Sequence, residues 1–524
     1  DIIFLMSKKI MTCLLIILII AGFFRLSKLT SIPPGLYPDE AMNGNNALTA
    51  LKTGEFKIFY PENNGREGLF INIQALFLKF FLNFYPHPEP WMLRIVSAII
   101  GILTVLGLYL LAKQLFNEKI GLLSSFFLAV GFWHVNFSRL GFRAIMVPFC
   151  LVWFCYFLLR GLDKRSWKDI IASAIFFGLG FHTYIAFRIA PLLALIILVY
   201  YFLRSRRQHT LKSFWQLVVL WLIVTFVIAL PIGLYFLQHP EDFLGRSTQV
   251  SIFNTANPIK EIIVSFAKEL AMFNFAGDCN WCHNYACRPE LDIITGIFFI
   301  VGIIIAIGNI IRSHCKDLTS FLLVGWLIIM ILPAAFTFES IPHALRSIGV
   351  IPATYMLAAV GLNQSAIEIK KRFSVSQKQI RVVILLICLL VLALNYINYF
   401  QKWAQNSNTA GAFNENYRQI AEYLNSLPSS KLKFVIVNAG GVLVNNIPMP
   451  AQTVMFLTDT YLPTDQQAKN LFYLLPDQIS QLQNSSSFVL IPLEKNQETK
   501  EKIFQLMPNI SFVDYPYFWL FQSQ

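Results

Sequence analysis

Just after the first apolar segment of this 524-residue chain stands Tyr37-Pro38-Asp39-Glu40-Ala41, followed by Asn43, Asn45 and Asn46. Two adjacent carboxylates can serve as a general base with a neighbour that orients the acceptor, or as metal ligands. A simpler role stays open beside these. Asp39 would cap a helix starting at Glu40 by accepting hydrogen bonds from its free backbone N–H groups, and the roles are compatible. Further on, Asn63-Asn64-Gly65-Arg66-Glu67-Gly68 sets a charged turn before the apolar stretch 69–84. Asn72, Gln74 and Lys79 interrupt that stretch, so it reads as a helix lying at a membrane interface.

Arginines recur at the ends of apolar segments, as in Ser138-Arg139-Leu140-Gly141-Phe142-Arg143. Such side chains commonly snorkel to lipid headgroups, but together with Arg66, Arg94, Arg188 and Arg346 they could also cluster around a phosphate. In Ile341-Pro342-His343-Ala344-Leu345-Arg346, a His and an Arg three residues apart can share one face of a turn and hold an anion. The segment Gly277-Asp278-Cys279-Asn280-Trp281-Cys282-His283-Asn284 contains a formal c-type haem attachment pattern, solitary and without an evident axial partner. A disulfide among Cys279, Cys282 and Cys287 suits an oxidising compartment better and leaves one thiol over. Cys13, Cys150, Cys155, Cys315 and Cys388 read as ordinary thiols in helices or facing the cytoplasm.

The elements that must position these residues are dictated by composition. With 56% hydrophobic and 14% charged residues and a mean hydropathy of +0.57, the chain cannot be covered by water as soluble domains. About 20 apolar residues cross the hydrocarbon, and that measure gives about eleven crossings: 10–24, 92–111, 120–137, 144–159, 170–181, 185–203, 214–236, 291–311, 318–336, 348–362 and 382–399. Lys8-Lys9 before the first segment would suit a signal peptide, but no small-x-small pattern follows, so an uncleaved helix is expected. Basic residues gather in five separated loops that share one side if the N-terminus is cytoplasmic. The net charge of +13 therefore reflects membrane orientation, and nucleic acid is not an expected partner. Loops 30–91, 238–290 and 337–347 and everything after 400 then lie outside. The fold class is mostly α: a polytopic domain over 1–400 and a small extracytoplasmic α/β domain over 401–524. In the latter, 434–438, 488–492 and 510–517 read as strands, and 420–424 and 500–506 as helical.

The ordered set Pro38-Asp39-Glu40-Ala41, Gly65-Arg66-Glu67-Gly68, Arg94, Ser138-Arg139-x-Gly141-Phe142-Arg143, Gly180-x-x-Thr183-Tyr184 with Arg188, Gly277-Asp278 with His283-Asn284, and Pro342-His343-Ala344-Leu345-Arg346 resembles the GT-C class membrane glycosyltransferases. The similar branch is the bacterial one of protein O-mannosyltransferase and aminoarabinose transferase type. Cys282 and Cys287 depart from it where a basic residue and a glycine are expected. The resemblance implies a transferase of the cell membrane that moves a sugar from a polyprenyl-phosphate donor to a protein, lipid or cell-wall glycan acceptor outside. It implies Asp39 as base and Glu40 as its neighbour on the acceptor. Arg346 and Arg66 would clamp the leaving phosphate, with Arg139, Arg143, Tyr184, Arg188, Asp278, His283 and His343 as further substrate contacts. His283 and His343 are also candidate ligands for a divalent metal. A flippase for a lipid-linked sugar is the alternative, but it would want polar groups near mid-membrane, whereas the charges here sit at helix ends.

Overall fold

The computed structural model describes residues 8–314, 316–482 and 487–523, so Cys315 lies outside the described residues. Among the described residues, nine helices are long and apolar enough to cross a membrane: Lys8–Leu26, Pro90–Leu115, Arg143–Lys164, Ile185–Arg207, Leu211–Gln238, Ile293–Ser313, Leu318–Ala335, Ile348–Phe373 and Gln377–Trp403. The two remaining apolar segments are helical but shorter. In 120–137 the extended backbone of Gly131 separates Glu118–Val130 from Phe132–Phe137. The other, Trp167–Gly180, ends just before His182 and Thr183. The stretch 69–84 forms the helix Gly68–Phe81.

The chain divides into two compact units, residues 1–27 with 97–403 and residues 28–96 with 404–524. The loop 30–91, assigned to the membrane domain from the sequence, thus packs with the C-terminal segment. The reason is apolar burial: Ala41, Ala47 and Leu48 of the helix Pro38–Thr53 share one core with Tyr417, Val454, Phe456 and Leu520.

In the first unit, helices approach at glycines. A Cβ on Gly302 would stand 2.0 Å from the carbonyl oxygen of Leu357, and one on Gly361 would stand 1.9 Å from that of Phe298. The helices Ile293–Ser313 and Ile351–Phe373 therefore meet backbone to backbone, the contact that small residues allow between membrane helices. Two buried arginines tie other helix ends. Arg25 donates to the carbonyls of Leu128 and Ala129 and bonds His134 Nδ1 at 2.7 Å. Arg139 donates to Phe24 O at 3.0 Å and Ser27 O at 2.8 Å, occupying carbonyls that the end of the first helix leaves open.

In the second unit, two strands form a small hairpin, β1 (Phe59–Tyr60) and β2 (Arg66–Glu67). The C-terminal segment adds β3 (Leu432–Ile436), a second hairpin of β4 (Leu443–Val444) and β5 (Ile447–Pro448), then β6 (Leu471–Leu474), β7 (Phe488–Pro492), β8 (Ser511–Asp514) and β9 (Trp519–Gln522). The main sheet has the order β6-β3-β7-β9-β8, parallel through β6, β3 and β7 and antiparallel beyond. Alternation splits its side chains between two cores: Val435 and Ile491 face one, Phe434, Ile436 and Leu490 the other. The strand expected over 510–517 is shorter, ending before Tyr515-Pro516, and the chain returns as β9.

The glycine contact gives a direct test. Gly302→Val should destabilise the folded protein by about 1–3 kcal/mol through overpacking, whereas Gly308→Val, with nothing within 4 Å of its Cβ, should not. Thermal unfolding in detergent compares the two.

Candidate functional site

The helix Pro38–Thr53 starts two residues earlier than expected. Pro38 occupies its first position, Tyr37 is the cap residue, and no side chain caps it. Asp39 is therefore not the cap. Its carboxylate is half-buried and accepts from Asn63 Nδ2 at 2.5 Å on Oδ1. Glu40, expected to contact the acceptor, is fully buried instead. Arg94 grips it with Nε to Oε2 and Nη2 to Oε1, both at 3.0 Å, and donates further to the carbonyls of Pro33 and Gly35. A charge pair without water persists only with such complete bonding. Glu40 thus anchors the start of the helix that carries Asp39.

Asn43 and Asn46 lie four and seven residues after Asp39, on the same helix face. Arg66, expected to clamp phosphate, spends its terminal nitrogens on them: Nη1 to Asn43 Oδ1 at 2.6 Å and Nη2 to Asn46 Oδ1 at 2.5 Å. It is 3% exposed, a cross-link between hairpin and helix. The turn between β1 and β2 passes through three successive left-handed residues, Asn63, Asn64 and Gly65.

The first unit holds a second cluster. Asp278 Oδ2 accepts from His283 Nδ1 at 2.8 Å and from the backbone N–H of Ala344 at 3.0 Å, and lies 3.8 Å from His343 Nδ1. Glu269 receives the backbone N–H of His343 at 2.8 Å and Ser347 Oγ at 2.6 Å, fixing the loop that carries His343 and Arg346. Glu290 Oε1 accepts from the Asp278 N–H, and its Oε2 has no partner among the described residues. Burial, and then the Asp278 charge, push the Glu290 carboxyl well above the usual range. Burial raises Glu269 to about 7 against the bonds from Ser347 and His343. Burial also opposes ionisation of Asp278, but the hydrogen bond and charge of His283 outweigh it and hold that carboxyl low. His343 is pushed well down, first by burial and then by His283 and Arg346, so its imidazole is neutral. One ligand atom each from Asp278, His283 and His343 lies within 4.8 Å of the others. An ionised carboxylate with two imidazoles is a donor set that suits a divalent ion such as zinc.

Cys279 pairs with Cys287, and Cys282 stays outside the disulfide in a buried position. This pairing removes the first thiol of the haem pattern and brackets the loop that carries His283. Arg346 donates to Thr337 Oγ1 at 2.7 Å and Glu339 O at 2.9 Å. Arg143 stacks on the Tyr184 ring, uniting two of the expected contacts. Arg188 instead lies over Phe236 and Phe243 and donates to Phe243 O. Arg139, expected at the substrate, is fully buried on helix-end carbonyls and beside Tyr399 and Phe400. Glu269 and Glu290 went unread because single acids in helical or loop sequence carry no spacing signal.

Residues 73–234 match the family model for dolichyl-phosphate-mannose-protein mannosyltransferases. No curated protein sequence matches the chain. Among solved structures, ArnT from Cupriavidus metallidurans bound to undecaprenyl phosphate is similar, with TM-score 0.61 at 13% identity over 99% of this chain and 98% of that one. The oligosaccharyltransferase AglB from Archaeoglobus fulgidus, in complex with an inhibitory peptide and a dolichol-phosphate, gives TM-score 0.54 at 13% identity over 92% of this chain and 69% of that one. The chain has the fold of the GT-C class membrane glycosyltransferases.

The Glu40 pair can be tested apart from any activity. Arg94→Gln leaves a buried carboxylate uncompensated and should cost about 3–5 kcal/mol, read as a lowered unfolding temperature. Glu40→Gln in the same background should restore part of that loss.

Proposed function

Starting from the GT-C fold, we propose that this chain transfers a sugar from a polyprenyl-phosphate donor to an acceptor hydroxyl at the outer face of the cell membrane. The observation that carries the reading is Asp39. It is a carboxylate in the first turn of a helix, tethered through one oxygen, its other oxygen without a partner among the described residues. ArnT was solved with undecaprenyl phosphate and AglB with a dolichol-phosphate, which supports a lipid phosphate as the ligand class. In this reading the two short helices also cross, giving eleven crossings with a cytoplasmic N-terminus and the C-terminal α/β segment outside. The acceptor is a protein, lipid or cell-wall glycan.

The reaction is an inverting displacement. The acceptor oxygen forms a bond to the anomeric carbon as the bond from that carbon to the phosphate oxygen breaks, and polyprenyl phosphate leaves with the electron pair. The acceptor proton passes to Asp39. The transition state is oxocarbenium-like, as in glycoside hydrolysis. Arg346 is assigned to the negative charge that grows on the leaving phosphate, a preorganised cation of the kind that supplies much of such catalysis. Asp278, His283 and His343 would hold a divalent ion, which acts as a Lewis acid on phosphate oxygens when bound.

Asp39→Asn should lower transfer by about 10²–10⁴-fold with the fold intact. Mass spectrometry of envelope glycans and glycoproteins from cells with the native chain, the variant and no chain reads this. A glycan made equally by the variant would remove Asp39 from the base role. Elemental analysis of purified protein should find roughly one divalent ion per chain, lost in a His283→Ala/His343→Ala double variant. Unchanged metal content there would exclude the site.

A further inference from the structure

Asn63 holds a left-handed backbone that few residue types adopt. The turn Pro61–Gly65 runs through φ values of 54° at Asn63, 63° at Asn64 and 79° at Gly65. An ordinary L-residue in the left-handed region costs roughly 1–2 kcal/mol, and Asn and Gly are the residues that tolerate it. The turn is closed by the Gly65 N–H bonding to the carbonyls of Pro61 and Glu62. Arg66, next along the chain, fastens the hairpin to Asn43 and Asn46 on the Asp39 face of the helix. The result is a loop whose register against Asp39 is fixed and whose Asn63 carboxamide points at the carboxylate.

The chemistry of that contact is one-sided. A carboxylate can only accept, so the amide must present its NH2 group, and Nδ2 donates to Oδ1 at 2.5 Å. No described residue bonds Oδ2. The two oxygens of Asp39 are thereby made unequal: one is held, one is open.

We propose that Asn63 is a positioning residue for the transfer reaction, holding Asp39 by Oδ1 so that Oδ2 is the atom that takes the acceptor's proton. This rests on the reading of Asp39 as the base. Glu40, next to Asp39 on the helix, is held by Arg94, and the hairpin that carries Asn63 also carries Glu62 and Arg66, with Lys57 facing Glu62. None of them replaces the NH2 group as a donor to Oδ1.

Two variants keep the turn, since Gly and Asp both accept a left-handed backbone. Asn63→Gly removes the donor. Asn63→Asp replaces the donor by a second acceptor beside the first carboxylate. Infrared difference spectra of each purified protein, with its own Asp39→Asn counterpart subtracted, isolate the Asp39 carboxylate bands. In both variants those bands should shift in frequency, because Oδ1 has lost its donor. Envelope glycan yield should fall about tenfold in Asn63→Gly, the loss expected of one charge-assisted hydrogen bond. A merely structural Asn63 would lower protein yield or unfolding temperature and leave the bands where they are, and that result overturns the proposal. If cells carrying Asp39→Asn still make the glycan, the base reading fails whatever the spectra show. If Asp39→Asn is inactive and neither Asn63 variant shifts the bands, the positioning role alone fails.

Discussion

Glu40 and Arg94 form the contact on which the second unit's arrangement depends. Both are excluded from water, and four hydrogen bonds from one guanidinium satisfy a carboxylate and two backbone carbonyls at once. Taking two ions out of water costs several kcal/mol each, so the pair adds little net stability by itself. What it supplies is direction. It ties the first turn of the Pro38 helix to the start of the second turn of the Pro90 helix and to the Pro33–Gly35 strap. Asp39, one residue away and about 100° round the helix, is thereby turned to the other side. Adjacent acids with the same formal chemistry end in opposite roles because only one can face the arginine.

The first unit follows the same rule with more participants. Asp278, Glu269, Glu290, His283 and His343 are all buried, and most of the carboxylate oxygens among them accept from His283, a backbone N–H or Ser347. Burial alone would neutralise all three acids. The bonds received by Asp278 keep that one ionised, while Glu290, with one bond and a charged neighbour, is driven to hold its proton. Position relative to donors, rather than residue type, sorts the acids into charged and neutral.

Local physics made much of this legible in the sequence. The apolar stretches set the helices, since each must satisfy its own backbone in lipid. The run Phe488–Pro492 reads as a buried strand and is one. Asp39, Asp278, His283 and His343 stand out by motif, and the last three come within ligand distance of one another. The rest depends on partners far along the chain. Nothing near Glu40 announces Arg94, 54 residues on. Arg139 looks like a surface charge until the end of the first helix, more than a hundred residues earlier, is seen to need its donors. The strand β6 was missed because its few apolar residues follow a polar helix, and only β3 beside it makes them a strand.

The discontinuity of the second unit bears on how the protein comes into being. Residues 28–96 leave the ribosome before residues 404–524, yet the apolar face of the Pro38 helix is covered by side chains from Tyr417 to Leu520. Contacts so distant in sequence form late, because the intervening chain must first be made and its ends brought together. During synthesis Ala41, Ala47 and Leu48 have no core to enter, and Asp39 has no settled scaffold. The helix that carries this carboxylate gains its apolar scaffold only when the tail has folded onto it. A chain interrupted before residue 417 would therefore leave the face of the Pro38 helix that carries Ala41, Ala47 and Leu48 uncovered.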